Sequence, residues 1–204
     1  MGSDDIMNST ADVLCELLKR VSIKGRDEEK RYASRVNINL GEITRHNVCQ
    51  LKRLNIAVFP LTYNDKFYKE VLTAGNLVRL AYFNDIVVGA VCCRVDTVDG
   101  QKRLYIMTLG TLAPYRKYGI GTLLLNHVLD VCKADPQIRS IYLHVQINNE
   151  SALSFYKRFG FNVTDRVEKY YKNIDPDDAF VLAKHFPFDK PGDAATTEGG
   201  AACS

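Results

Sequence analysis

The chain has 204 residues, 46% of them hydrophobic and 25% charged, with 27 Lys and Arg against 24 Asp and Glu for a net charge of +3. That length suits one domain with a core of ordinary size, and no run of about 18 apolar residues exists to form a membrane-spanning helix. The charge excess is too small to argue for nucleic acid, but it is compatible with a polyanionic cofactor or an acidic partner.

Residues 1–34 read as an extension. Within residues 10–24, Val13, Leu14, Leu17, Leu18 and Val21 form one apolar stripe and Gly25 follows, the pattern of a short amphipathic helix. Residues 26–35 are dense in charge, as a linker would be. The first residues lack the basic and apolar regions of a secretory signal. Met1-Gly2 begins a myristoylation pattern, but Ile6 stands where Ser or Thr is needed.

Residues 35–186 read as one domain of mixed α/β character. Residues 36–40 alternate as a strand, and Thr44 is placed to cap a helix running to Asn55. A helix over 65–74 is closed by Gly75. Strands over 77–83 and 86–94 meet at Asn84-Asp85, a hairpin signal. A strand over 103–112 precedes a helix over 119–134, whose one side carries Ile120, Leu123, Leu124, His127, Val128 and Val131. His127 on that stripe reads as a core histidine. Then come a strand over 141–145, a helix over 150–159 stopped by Gly160, and strands over 161–170 and 179–184. Antiparallel strands followed by strand–helix–strand units predict an α/β (α+β) fold, a mixed central sheet with helices on both faces. Residues 187–204, rich in Gly, Ala, Thr and Pro, are expected to be disordered.

The six cysteines include no C-x-x-C pair and read as free thiols in a reducing compartment. The four histidines show no metal-ligand spacing, and no metal is expected.

The most informative stretch is Arg116-Lys117-Tyr118-Gly119-Ile120-Gly121, which follows a strand broken at Pro114 and opens a helix. A helix N-terminus presents unpaired N–H groups and a partial positive charge, which suits phosphate. Gly119 and Gly121 clear the space for a close approach, and Arg116 and Lys117 can add charge. Leu112-Ala113-Pro114-x-Arg116-x-x-Gly119-Ile120-Gly121 resembles the acetyl-coenzyme A motif of the GNAT superfamily of N-acetyltransferases. Asn149-Glu150-Ser151-Ala152-Leu153-Ser154-Phe155-Tyr156, continuing to Gly160-Phe161, resembles that superfamily's second motif. Four further segments resemble the NatE (San) group of N-terminal acetyltransferases: Phe59-Pro60-Leu61-Thr62-Tyr63, Arg103 to Gly110, Ile141 to Gln146, and Tyr170-Tyr171-Lys172. Leu61 and Thr62 depart from the Val and Ser usual there.

The resemblance implies acetyl-CoA as cosubstrate and an N-terminal α-amine as acceptor, in a Met followed by an apolar residue. It implies that Tyr105 and His144 hold a water that takes the amine's proton, and that Tyr156 protonates the leaving thiolate. It places the cofactor on Met107, Leu109, Arg116, Lys117, Gly119, Ile120, Gly121, Asn149 and Tyr156. It places the peptide among Phe59, Pro60, Leu61, Tyr63, Tyr105, Met107, Tyr170, Tyr171 and Ile174. It also implies nascent chains as partners, association with the NatA complex at the ribosome, and a cytoplasmic site of action with the nucleus as a second compartment. Two other readings remain open: acetylation of lysines or small amines, and a non-catalytic subunit of a ribosome-associated complex.

Alternation places Tyr105, Met107 and Leu109 on the strand face opposite Leu104 and Ile106. It places Tyr142 and His144 opposite Ile141, Leu143 and Val145.

Overall fold

Asn84 and Asp85 both take positive φ, 46° and 70°, and Phe83 faces Ile86 across them. Two residues of left-handed backbone are what a type I′ hairpin needs, because its twist matches that of the strands it joins. The computed structural model describes residues 36–98, 100–172 and 174–186. The helix expected over 10–24, the charged linker and the tail over 187–204 lie outside the described residues.

Seven strands form one sheet: β1 (Ile38–Glu42), β2 (Val78–Phe83), β3 (Ile86–Val98), β4 (Gln101–Thr111), β5 (Ile138–Gln146), β6 (Asn162–Val167) and β7 (Ala179–His185). Their order is β1-β2-β3-β4-β5-β7-β6. Every neighbouring pair is antiparallel except β4 and β5, which run parallel. A parallel pair needs a crossover, and helix α3 (Ile120–Ala134) supplies it. Helices α1 (Val48–Val58) and α2 (Asp65–Val71) cover one face of the sheet through Leu51, Leu54, Phe67 and Val71. Helix α3 and helix α4 (Glu150–Arg158) cover the other through Ile120, Leu124, Leu125, Val128 and Tyr156. The expected mixed sheet with helices on both faces is what the chain builds. Each fully buried aliphatic side chain contributes about 1.5–3 kcal/mol of transfer free energy, and Leu51, Leu80, Leu104 and Leu124 are all 0% exposed.

Several boundaries differ from expectation. Helix α1 begins at Val48 with Asn47 at its N-cap, not at Thr44. The Asn47 side chain accepts from the Thr44 N–H at 2.7 Å and donates to the Glu42 carbonyl at 2.9 Å, so the chain turns once before the helix starts. Helix α2 stops at Val71, and Gly75, at φ 58°, opens a 3-10 turn instead of closing the helix. Strand β3 continues past Arg94 to Val98, and β6 ends at Val167 because Lys169 takes a φ of 52°. His127 is half-buried rather than in the core. Its Nε2 lies 2.8 Å from the Asn76 carbonyl, tying α3 to the turn before β2.

Two irregularities of β4 open this part of the sheet. Cys92 faces Thr108 while Cys93 faces Ile106, so Met107 is the extra residue of a β-bulge. The bulge breaks the alternation. Leu109 packs with Leu104 and Ile106 on the α3 side, whereas Met107 packs on the α1 side, so the two do not share a face as expected. Second, β4 and β5 pair only as far as Tyr105 and Tyr142. Beyond that rung the two parallel strands share no ladder, and a cleft opens between them.

Candidate active site

The cleft takes its walls from two loops and its floor from the last rung between β4 and β5. One wall is the segment between α1 and α2, carrying Phe59, Pro60, Leu61 and Tyr63. Gly110 lets this segment lie close on β4: a Cβ there would stand 2.7 Å from Val58 and 2.9 Å from Phe59. Asn64 ends the segment by capping α2, its side chain accepting from the Phe67 N–H at 3.0 Å. Tyr63 packs against Phe67 at 4.8 Å and edge-on to Phe59 at 6.1 Å. The other wall is the loop between β6 and β7, carrying Tyr170, Tyr171 and Ile174. Asp178 holds it: its carboxylate accepts from the Arg166 guanidinium and from the Lys169 N–H at 3.0 Å. The Tyr171 N–H donates to the Asp177 carbonyl at 2.8 Å.

On the floor, Tyr105, His144 and Tyr170 meet. The Tyr105 hydroxyl lies 3.2 Å from His144 Nδ1 and 3.0 Å from the Tyr170 hydroxyl. Burial, reinforced by the bond to Tyr170, pushes the Tyr105 phenol above its ordinary range, so it stays protonated. Burial lowers the His144 imidazole below its usual value, which favours the neutral ring. A neutral imidazole bonded to a phenol can accept a proton, whereas the phenol can only donate or relay one. Ile141, Leu143 and Val145 are buried while Tyr142 and His144 are half-buried, as alternation along β5 predicts.

Two cavities meet here. The first, about 660 Å³, is lined by Phe59, Pro60, Leu61, Tyr63, Tyr105, Met107, Leu109, His144, Tyr156, Tyr170, Tyr171 and Ile174. The second, about 720 Å³, is lined by Arg116, Lys117, Gly119, Ile120 and Gly121, with Phe155 and Arg158 beyond. Phe59, Pro60, Leu109, Asn149, Ala152 and Tyr156 belong to both. The structure therefore brings every residue given a catalytic, cofactor or peptide role from the sequence to one of two adjoining spaces. It adds Arg94, Tyr142 and Gln146 to the first, and Thr122, Ser151, Phe155 and Arg158 to the second, none of which the motifs had marked for a role.

The second cavity fits a polyanion. Gly119, at φ 81°, is the N-cap of α3, so the first N–H groups of that helix open into the cavity beside Arg116, Lys117 and Arg158. A Cβ on Gly121 would meet the Phe155 ring at 3.5 Å, an ordinary contact, so packing does not demand glycine there. A ligand lying close against the turn would demand it. Asn149 caps α4 by accepting from the Ala152 N–H at 3.1 Å. Its amide NH₂ remains to donate to a chain running between the cavities. Tyr156, 5% exposed, sits at the junction, and burial pushes its phenol up, so it too stays protonated.

Known proteins resemble this chain in sequence and fold. The model of the acetyltransferase (GNAT) family matches residues 48–161. N-alpha-acetyltransferase 50 of Danio rerio is 63% identical over 147 residues, 72% of this chain and 88% of that protein. The probable N-acetyltransferase san of Drosophila melanogaster is 58% identical over 151 residues, 74% of this chain and 82% of that one. Among solved structures, Arabidopsis thaliana Naa50 in complex with the bisubstrate analogue CoA-Ac-MVNAL superposes with a TM-score of 0.69 at 52% identity, covering 73% of this chain and 99% of that one.

Proposed function

The chain belongs to the acetyltransferase (GNAT) family, and from that footing we propose that it moves the acetyl group of acetyl-CoA to the α-amine of protein N-termini that begin with Met and continue with an apolar residue. The observation that carries this reading is the junction at Tyr156 and Asn149. A cavity suited to a polyanion and a cavity suited to an apolar peptide end meet within reach of one acid–base pair. The similar Arabidopsis protein binds an analogue that joins CoA, an acetyl group and a peptide reading MVNAL, in which an apolar residue follows Met.

The amine must be neutral to attack. An α-amine has a pKa near 7.7–8.0 and a lysine near 10.4, so at pH 7 roughly one α-amine in ten is neutral against fewer than about one lysine in a thousand. A weak base therefore suffices. His144, neutral and bonded to Tyr105, receives the amine's proton through a water that the two residues hold. As the new C–N bond forms, backbone N–H groups around Met107 to Leu109, past the last rung of β4 and β5, stabilise charge on the carbonyl oxygen. As the C–S bond breaks, the Tyr156 hydroxyl supplies a proton to the sulfur. Phe59, Pro60, Leu61, Tyr63, Tyr171 and Ile174 enclose the first two residues of the peptide.

The first cavity has no carboxylate among its described lining residues, so it offers no counter-charge to a basic side chain. The glycine turn, Tyr105 and His144 are all present in adjoining cavities, which speaks against a subunit without catalysis. The resemblance to NatE extends the reading to association with the NatA complex at the ribosome, in the cytoplasm and secondarily the nucleus. A transfer assay on a Met-Leu peptide with an internal lysine tests the chemistry: mass spectrometry should place the acetyl group on the α-amine, and a product acetylated on the lysine alone contradicts it.

A further inference from the structure

Four side chains from three strands make one continuous set of contacts across the floor of the cleft. Arg94 of β3 faces Tyr105 of β4 in register, and Tyr105 faces Tyr142 of β5, so the three stand in a row across the sheet. The Arg94 guanidinium carbon lies 5.0 Å from the centroid of the Tyr105 ring. The Tyr142 ring stacks on the same ring at 4.8 Å and 26°. Asp96 lies two residues along β3 from Arg94, on the same face of the strand. It links the two ends of the row, accepting from the Tyr142 hydroxyl at 2.6 Å and lying 3.0 Å from Arg94 Nε. The bond to Tyr142 has the length of a charge-assisted O–H···O⁻ contact. The Asp96 side chain is only 26% exposed, so water competes weakly for it.

The set belongs to neither core cluster. It lies instead under the first cavity, which Arg94, Tyr105 and Tyr142 line. A tyrosine on a strand keeps freedom about its side-chain torsions unless neighbours remove it, and catalytic groups need their rotamers locked by a supporting layer. Tyr105 stands on the last rung before β4 and β5 part, where no further ladder steadies the strand on that side. Its ring is held by Arg94 and Tyr142, and both of those are held by one carboxylate.

We propose that Asp96 is a positioning residue for the transfer reaction, fixing Tyr142 and Arg94 so that Tyr105 presents its hydroxyl to His144 and Tyr170. This rests on the reading of Tyr105 and His144 as the acid–base pair. The test is a double-mutant cycle on steady-state transfer to a Met-Leu peptide, using Asp96→Ala, Tyr142→Phe, Tyr105→Phe and the Tyr105→Phe/Tyr142→Phe pair. Tyr142→Phe keeps the ring and removes only its hydroxyl, with the bonds to Asp96 and Arg94, so the fold is not at issue in that variant. A misplacement of about 1 Å can cost about 100-fold, so Asp96→Ala and Tyr142→Phe are each expected to lower kcat about ten-fold or more, with KM for acetyl-CoA unchanged. The pair should be no slower than Tyr105→Phe alone, because there is no hydroxyl left to position. Additive losses in the pair overturn the proposal, since a general structural effect would act in either background. Normal kcat in Asp96→Ala and Tyr142→Phe, with Tyr105→Phe slow, overturns it while leaving the acid–base reading intact. Full activity in Tyr105→Phe removes both together.

Discussion

The ring of Tyr170 lies flat on the ring of His144, with centroids 4.2 Å apart and planes 8° from parallel, while its hydroxyl reaches that of Tyr105 at 3.0 Å. A loop residue thereby covers the histidine and closes a chain of bonds with the tyrosine beneath it. The loop wall and the Tyr105–His144 pair are one contact unit. Tyr170→Phe keeps the stack and loses the bond, whereas Tyr170→Ala loses both. An aromatic pair contributes about 0.5–1.5 kcal/mol beyond its buried area, so kcat/KM for a Met-Leu peptide should fall about two- to ten-fold further in Tyr170→Ala than in Tyr170→Phe. Steady-state kinetics check this, and equal losses in the two variants would show that the stack adds nothing.

Tyr105→Phe and His144→Ala should each cut turnover about 10²- to 10⁴-fold, the usual cost of removing a positioned acid–base group. Both residues line the first cavity and neither lines the glycine turn. Calorimetry should therefore find acetyl-CoA affinity near normal in both. Retention of most of the activity in both variants means that the two residues serve packing alone.

The rate should rise with pH across about 6 to 8.5, and two groups set that sign. Only the deprotonated α-amine attacks, and its pKa near 7.7–8.0 makes the reactive fraction grow through this window. Only the neutral imidazole accepts a proton, and burial holds the His144 pKa below its ordinary value, so its protonation limits the rate only at the acid end. Tyr105 does not ionise in this window, because its phenol is held above the ordinary range. A kcat/KM profile that falls between pH 7 and 8.5 contradicts this assignment.

Gly121→Leu should fold and yet bind acetyl-CoA poorly. Leucine is a better helix former than glycine by about 0.5–1 kcal/mol, and the first atom added meets Phe155 only at ordinary contact distance. The rest of the side chain must enter the cavity that Arg116, Lys117 and Gly119 line. Unchanged cofactor affinity by calorimetry, in a variant whose thermal midpoint has not dropped, removes the turn from the binding site.

Much of the fold and site was legible because local rules decide it. Asn84-Asp85 forms a hairpin through backbone chemistry alone, and the glycine turn before α3 meets the needs of a helix terminus. The alternation of β5 placed His144 and Tyr142 correctly because that strand is regular and buried on one face. Alternation failed on β4, where the bulge at Met107 turned Leu109 to the other side. Nothing in the pattern of side chains announces an extra residue in a ladder. The contact set around Asp96 was hidden for a related reason. Polar residues end the apolar run of β3 at Arg94, so the strand's continuation to Val98 depends on pairing with β4, a long-range fact. The role of His127 was misread because an apolar stripe cannot reveal a single carbonyl, that of Asn76, waiting at its edge.

If the paired cavities select an N-terminal α-amine on an apolar peptide end, a small peptide panel will show it. Transfer rates should be compared for peptides beginning Met-Leu, Met-Ala and Ser-Glu, and for a lysine peptide blocked at its N-terminus. Burying a Leu side chain contributes about 1.5–3 kcal/mol, so Met-Leu should exceed Met-Ala by roughly ten-fold or more in kcat/KM. The bulk of Leu61 beside Phe59 and Tyr63 is expected to narrow the tolerance at both positions. Met-Leu should be the best substrate, with little transfer to the Ser-Glu peptide or to the blocked lysine peptide. Equal or faster transfer to either of those two would contradict that selection.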